Sequence, residues 1–130
     1  MIAGTPAGVE VACAAAKELG VKRATALNVG GAFHTPLMRD AADALPAVLA
    51  EVTFSAPAAP VVSNLDARAY AEPDGWAERS GEHVAVPVRW RESMLTMVDL
   101  GADSFLEVGA GSMLAGLAKR ITPDTPVRGI

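Results

Sequence analysis

One histidine stands out as a group that could do chemistry, in Gly30-Gly31-Ala32-Phe33-His34-Thr35-Pro36-Leu37-Met38. Imidazole has an unperturbed pKa near neutrality, so it can take a proton and return it within one reaction cycle. Paired glycines permit positive φ or close backbone approach, and Pro36 fits the first turn of a helix, where a missing N–H is no loss. The pattern places His34 on a stiff strand-to-helix corner, which suits a general base. A structural histidine satisfied among apolar neighbours fits the same residues, and local sequence leaves both readings open. His83 lies in the polar run Glu82-His83-Val84 and carries a weaker signal. Ser63 and Asn64 close the β-branched run Pro60-Val61-Val62, at the end of a strand where open α/β sheets bind ligands; Asn64 equally suits a turn. Ser112, in Gly109-Ala110-Gly111-Ser112-Met113-Leu114, has no glycine two residues later and reads as a helix-start residue.

Several elements must hold these groups in place. Thr5 and Pro6 open a predicted helix over 6–19, with Val9, Ala12, Ala16 and Leu19 on one face and Gly20 as its stop. Arg23 to Val29 reads as a strand delivering the chain into the glycine pair. The spacing predicts a helix from Pro36 to Val52, directly behind His34, with a kink at Pro46. Pro60 to Asn64 reads as a buried strand, and Leu65 to Gly81 as a surface connection with a short helix. Arg89 to Leu100 resumes helical spacing, Phe105 to Val108 is a strand, Ser112 to Ile121 a last helix, and Pro126-Val127 an edge strand. This alternation predicts an α/β fold, a mostly parallel sheet with covering helices.

Composition narrows the function classes. A chain of 130 residues, 51% hydrophobic and 20% charged, is long enough for one buried core. A net charge of −4 with no Lys/Arg cluster argues against nucleic acid or an anionic membrane as partner. The single cysteine, Cys13, sits in Val11-Ala12-Cys13-Ala14-Ala15 and is expected to be a buried small hydrophobe, neither disulfide nor metal ligand. No apolar run is long enough to span a bilayer and no signal-peptide pattern opens the sequence, so the cytoplasm is the expected compartment.

The segment from Gly31 to Met38 resembles the surroundings of the catalytic histidine in malonyl-CoA:acyl carrier protein transacylases and the related acyltransferase domains of fatty acid and polyketide synthases. Further blocks resemble the family in order: Phe54-Ser55-Ala56-Pro57, Pro60 to Asn64, Pro87-Val88-Arg89-Trp90, Phe105 to Gly111, and Leu114 to Leu117. The likeness covers the whole chain but only the C-terminal portion of the family. It implies that residues 1–29 end an inserted ferredoxin-like subdomain and that 30–130 form the C-terminal part of an α/β-hydrolase-like acyltransferase domain. Such a piece would expose a sheet edge and an apolar face that the N-terminal half of the domain normally covers, making the isolated chain a poor folder.

The resemblance also implies roles. His34 would be the catalytic base of a ping-pong transfer of malonyl from malonyl-CoA to the phosphopantetheine thiol of acyl carrier protein, with no bound cofactor and no metal. The main-chain carbonyl at about His83, where the family usually has glutamine, would orient His34, and Phe33 would favour malonyl over methylmalonyl by crowding an α-methyl group. The family's nucleophilic serine is absent: the chain contains no Gly-x-Ser-x-Gly. None of Arg39, Arg68, Arg89 or Arg91 matches the arginine that binds the malonyl carboxylate, so the chain alone is expected to be inactive. Alternatives are a noncatalytic remnant or partner-binding subunit, a fragment of a polyketide synthase acyltransferase domain, and an unrelated α/β binding module, which the ordered blocks disfavour.

Overall fold

The computed structural model describes residues 1–130, the side chain of Lys17 excepted. The chain divides into two compact units, Met1–Thr53 with Gly75–Pro87 and Phe54–Asp74 with Val88–Ile130.

In the first unit, α1 (Pro6–Glu18) begins where the sequence indicates. The Thr5 carbonyl accepts from the Val9 amide at 2.9 Å, and its hydroxyl accepts from the Gly8 amide at 3.2 Å. Val9, Ala12, Cys13 and Ala16 form the half-buried face, so Cys13 is less enclosed than expected, and Leu19 stands exposed beyond the helix end. The strand expected over Arg23 to Val29 does not form. A strand exists through its partner, and among the described residues no segment pairs with this one; Leu27 and Val29 remain exposed.

The single helix expected from Pro36 to Val52 is instead a 3₁₀ turn, Pro36–Met38, followed by α2 (Arg39–Leu49). Thr35 tightens this start: its Oγ1 accepts from the Leu37 amide at 3.3 Å, and the Met38 amide donates to its carbonyl at 3.0 Å. Against α2 packs α3 (Trp76–Ala85), longer than the short helix expected in that stretch. Pro46 lies inside α2 and has no N–H, which leaves the Ala42 carbonyl without its usual helical donor. Gly81 comes onto that spot. A Cβ on Gly81 would lie 2.6 Å from the Ala42 oxygen and 2.8 Å from Pro46 Cγ, so the seam of Ala42, Pro46, Gly81 and Ala85 closes only because Gly81 has no side chain.

In the second unit, β1 (Val61–Val62) pairs antiparallel with β2 (Ala69–Tyr70). This corrects the expectation of a buried strand ending at Asn64, because turn chemistry folds the chain back at once. The Ser63 amide donates to the Arg68 carbonyl at 2.9 Å, and the Ala67 amide, with Ala67 left-handed at φ 61°, donates to Ser63 O at 2.8 Å. Asp66 accepts from the Arg68 amide and the Tyr70 hydroxyl. Next, α4 (Trp90–Asp99) is tied to this hairpin by the Arg89 amide on the Asn64 carbonyl (2.9 Å) and Thr96 Oγ1 on the Ala67 carbonyl (2.8 Å).

The chain then forms β3 (Phe105–Glu107), α5 (Met113–Ile121) and β4 (Val127–Gly129). Phe105 pairs in parallel with Val127, and Glu107 with Gly129, with α5 as the crossover that a parallel pair requires. The mostly parallel sheet read from the sequence is thus one parallel pair and one separate hairpin. Buried apolar side chains are small apart from Met94: Ala42 and Ala85 in the first unit, Ala67, Ala115 and Ala118 in the second.

Candidate active site

The corner at His34 belongs wholly to the first unit. Neither Gly30 nor Gly31 takes a positive φ; the left-handed residue is His34 itself, at φ 63°. That conformation disfavours residues with a Cβ by about 1–2 kcal/mol and must be held by its surroundings. Two atoms at the C-terminal end of α3 hold it. The His34 amide donates to the Val84 carbonyl at 2.8 Å, and His34 Nδ1 lies 2.7 Å from the His83 carbonyl. A carbonyl only accepts, so in the neutral ring Nδ1 carries the proton and Nε2 has the lone pair. This is the tautomer that a general base acting through Nε2 would need.

Neighbouring side chains fix the corner on both sides. Thr35 Oγ1 donates to the Ala32 carbonyl at 2.7 Å. Arg39, at the start of α2, makes two hydrogen bonds to the Glu82 carboxylate on α3, at 2.7 and 3.1 Å, and approaches Asp43 at 3.5 Å. The guanidinium holds the Glu82 carboxyl below its ordinary range by direct hydrogen bonding. This clamp sits one residue from His83. Phe33 is 51% exposed, and its ring passes 3.0 Å from where a Gly31 Cβ would stand, so Gly31 supplies clearance rather than a turn.

His83 contributes more than its carbonyl. Its ring lies 4.8 Å from that of His34, tilted by 41°. Burial pushes the His83 imidazole below the usual histidine range, and proximity to His34 adds to this. Its Nε2 is closed off from solvent with no hydrogen-bond partner. The ring contact and the Arg39–Glu82 clamp left no local trace in the sequence, because they join residues 49 and 43 positions apart.

The remaining sequence candidates lie in the second unit and serve structure. Ser63 is buried, with its hydroxyl accepting from the Leu65 amide at 3.2 Å, and Asn64 acts through its backbone carbonyl. Ser112 stands at the start of α5, but its side chain makes no capping bond. Glu107 does that work: its carboxylate accepts from the amides of Leu114 (3.1 Å) and Ala115 (2.8 Å). Among the described residues there is no group of three or more His, Cys, Asp or Glu that could hold a metal, and no helix long and apolar enough to cross a membrane.

In the first unit a backbone-oriented histidine stands at a helix start, and in the second a parallel pair is joined by a crossover helix, as in a partial α/β domain. Solved structures agree. The chain superposes on an acyl-carrier-protein S-malonyltransferase from Burkholderia pseudomallei with a TM-score of 0.90 at 38% identity, covering 98% of this chain and 41% of that one. It superposes equally on a malonyl-transacylase in complex with a type II polyketide synthase acyl carrier protein (TM-score 0.89, 34% identity, 96% and 40% covered). In sequence it is 41% identical over 121 residues to the malonyl CoA-acyl carrier protein transacylase of Escherichia coli K12, covering 93% of this chain and 39% of the relative. No protein-family model matches the chain. In sequence and fold the chain matches the C-terminal portion of the malonyl-CoA:acyl carrier protein transacylases, and it spans about two-fifths of the length of the curated relatives it matches.

Proposed function

We propose that this chain supplies the acid–base half of a malonyl-CoA:acyl carrier protein transacylase site, with the nucleophilic serine and the carboxylate-binding arginine provided by the N-terminal part of the same domain. In that whole, residues 1–29 end the small subdomain and 30–130 complete the large one, and the enzyme works in the cytoplasm. The observation that carries the reading is the His34 ring, fixed by the 2.7 Å bond to the His83 carbonyl with Nε2 left as the basic nitrogen.

His34 Nε2 takes the serine proton as the serine oxygen bonds to the malonyl thioester carbon. The tetrahedral intermediate collapses, the C–S bond breaks, and His34 returns the proton to the departing CoA thiolate. A malonyl-serine ester remains. In the second half His34 takes the proton of the phosphopantetheine thiol, sulfur attacks the ester, and the proton goes back to serine. The His83 carbonyl holds Nδ1–H throughout, and it also stabilises the imidazolium. Phe33, half exposed beside His34 in sequence, is the residue proposed to disfavour an α-methyl group on the acyl chain.

Complementation tests the proposal. The purified chain alone is expected to form no covalent malonyl adduct. Mixed or co-expressed with an N-terminal transacylase portion carrying the serine and arginine, it is expected to restore malonyl transfer to acyl carrier protein, and His34→Asn is expected to abolish it. Transfer that survives His34→Asn would remove His34 from the mechanism. An adduct on the chain alone would overturn the division of the site.

A further inference from the structure

We propose that the side chain of His83, not only its carbonyl, is a positioning residue for His34: with its Nε2 closed off, the His83 ring stays neutral and sets no positive charge against the His34 ring. This rests on His34 being the base. The two rings are 4.8 Å apart, so a proton on each would place like charges in contact. His83 Nε2 has neither solvent nor a hydrogen-bond partner, so a proton placed there would have no acceptor. His34, in contrast, has a carbonyl acceptor 2.7 Å from Nδ1. The geometry thus makes the two imidazoles unequal: one has a partner on Nδ1, and the other has none on its buried Nε2.

Other charges nearby do not reverse this. The elements packed against α3 are α2 and the 3₁₀ turn. Their charged groups are Arg39, Asp40 and Asp43 on α2, and α3 itself carries Glu78, Arg79 and Glu82. Arg39, Asp43 and Glu82 are engaged with one another, and Arg79 lies over the Trp76 ring at 5.2 Å. The charge that bears on His83 is that of His34.

The chain has only two histidines, so ring NMR gives two titration curves, assigned with His83→Gln. His83 is expected to titrate below the ordinary value of about 6.5, with an inflection where His34 protonates, and to move up in His34→Asn. Two independent curves near 6.5 in protein whose near-UV circular dichroism shows it folded would overturn the proposal. Urea denaturation across pH gives a second reading that does not depend on the His34 variant. Because His83 binds its proton more weakly folded than unfolded, stability is expected to be flat above about pH 6.5 and to fall below it, through the lowered native value. His83→Gln is expected to flatten that decline, and parallel curves for the two proteins would count against it. Neither readout needs acyl transfer. A neutral His83 with failed complementation would sink only the transacylase reading, whereas restored transfer with an ordinary His83 would sink only this one.

Discussion

At the scale of single residues, His34 carries both a chemical and a conformational demand. A left-handed φ of 63° is tolerated by asparagine far better than by alanine. His34→Asn is therefore expected to keep native stability within a few tenths of a kcal/mol, and His34→Ala to lose about 1 kcal/mol more, by urea midpoint. Both should lower malonyl transfer in the complemented enzyme by roughly 10²–10⁴-fold, the usual contribution of a positioned general base. Replacing Phe33 by serine is expected to cut malonyl-over-methylmalonyl preference by about tenfold, the worth of one methyl group in a pocket, as measured by kcat/KM for the two thioesters. Much of this corner was legible in sequence, since Gly-Gly, His and Pro in that order announce a turn into a helix. The location of the strain was not: the glycines were read as permitting either a positive φ or a close approach, and Gly31 makes room for the Phe33 ring while His34 takes the positive φ.

At the scale of elements, the decisive contact is the seam between α2 and α3, because His83 rides on α3 and the 3₁₀ turn leads from His34 straight into α2. Gly81→Ala forces a methyl to within 2.6 Å of the Ala42 oxygen, a backbone atom that cannot swing aside. Overpacking of this kind costs about 1–3 kcal/mol, and the urea midpoint should fall accordingly. A lengthened His34–His83 bond would also show as partial loss of transfer. In the second unit, Glu107→Ala removes the acceptor for two α5 amides and is expected to cost about 1 kcal/mol in the same measurement. Helix starts at Thr5 and Pro36, and the β3–α5–β4 run, could be read from caps and periodicity because those signals are local. Residues 23–29 could not be settled that way, since an apolar alternation specifies a strand only if a partner exists. The hairpin at 61–70 was missed because Ser63, read with Asn64 as the exit of a strand, joins Asp66 in supplying the bonds of a turn.

At the scale of the whole molecule, surface area speaks most plainly. Two separate globular bodies of half this mass would together expose about 7,800 Å². The chain exposes 9365 Å², more than even complete separation of its units explains. The excess includes large apolar side chains, such as Leu37 and Val48 in the first unit and Leu106, Val108, Met113 and Leu114 in the second. The purified chain is accordingly expected to bind a hydrophobic dye and to associate as its concentration rises, and both should diminish when an N-terminal transacylase portion is added. A dye-silent monomer by sedimentation would contradict that expectation. One consequence reaches beyond stability. Both bonds that orient His34 come from Val84 and His83, within the first unit, so the orientation of the ring is set inside that unit alone. A ring so held is a preset gauge: its heading is a property of the α3 end, and anything that shifts that end re-aims it.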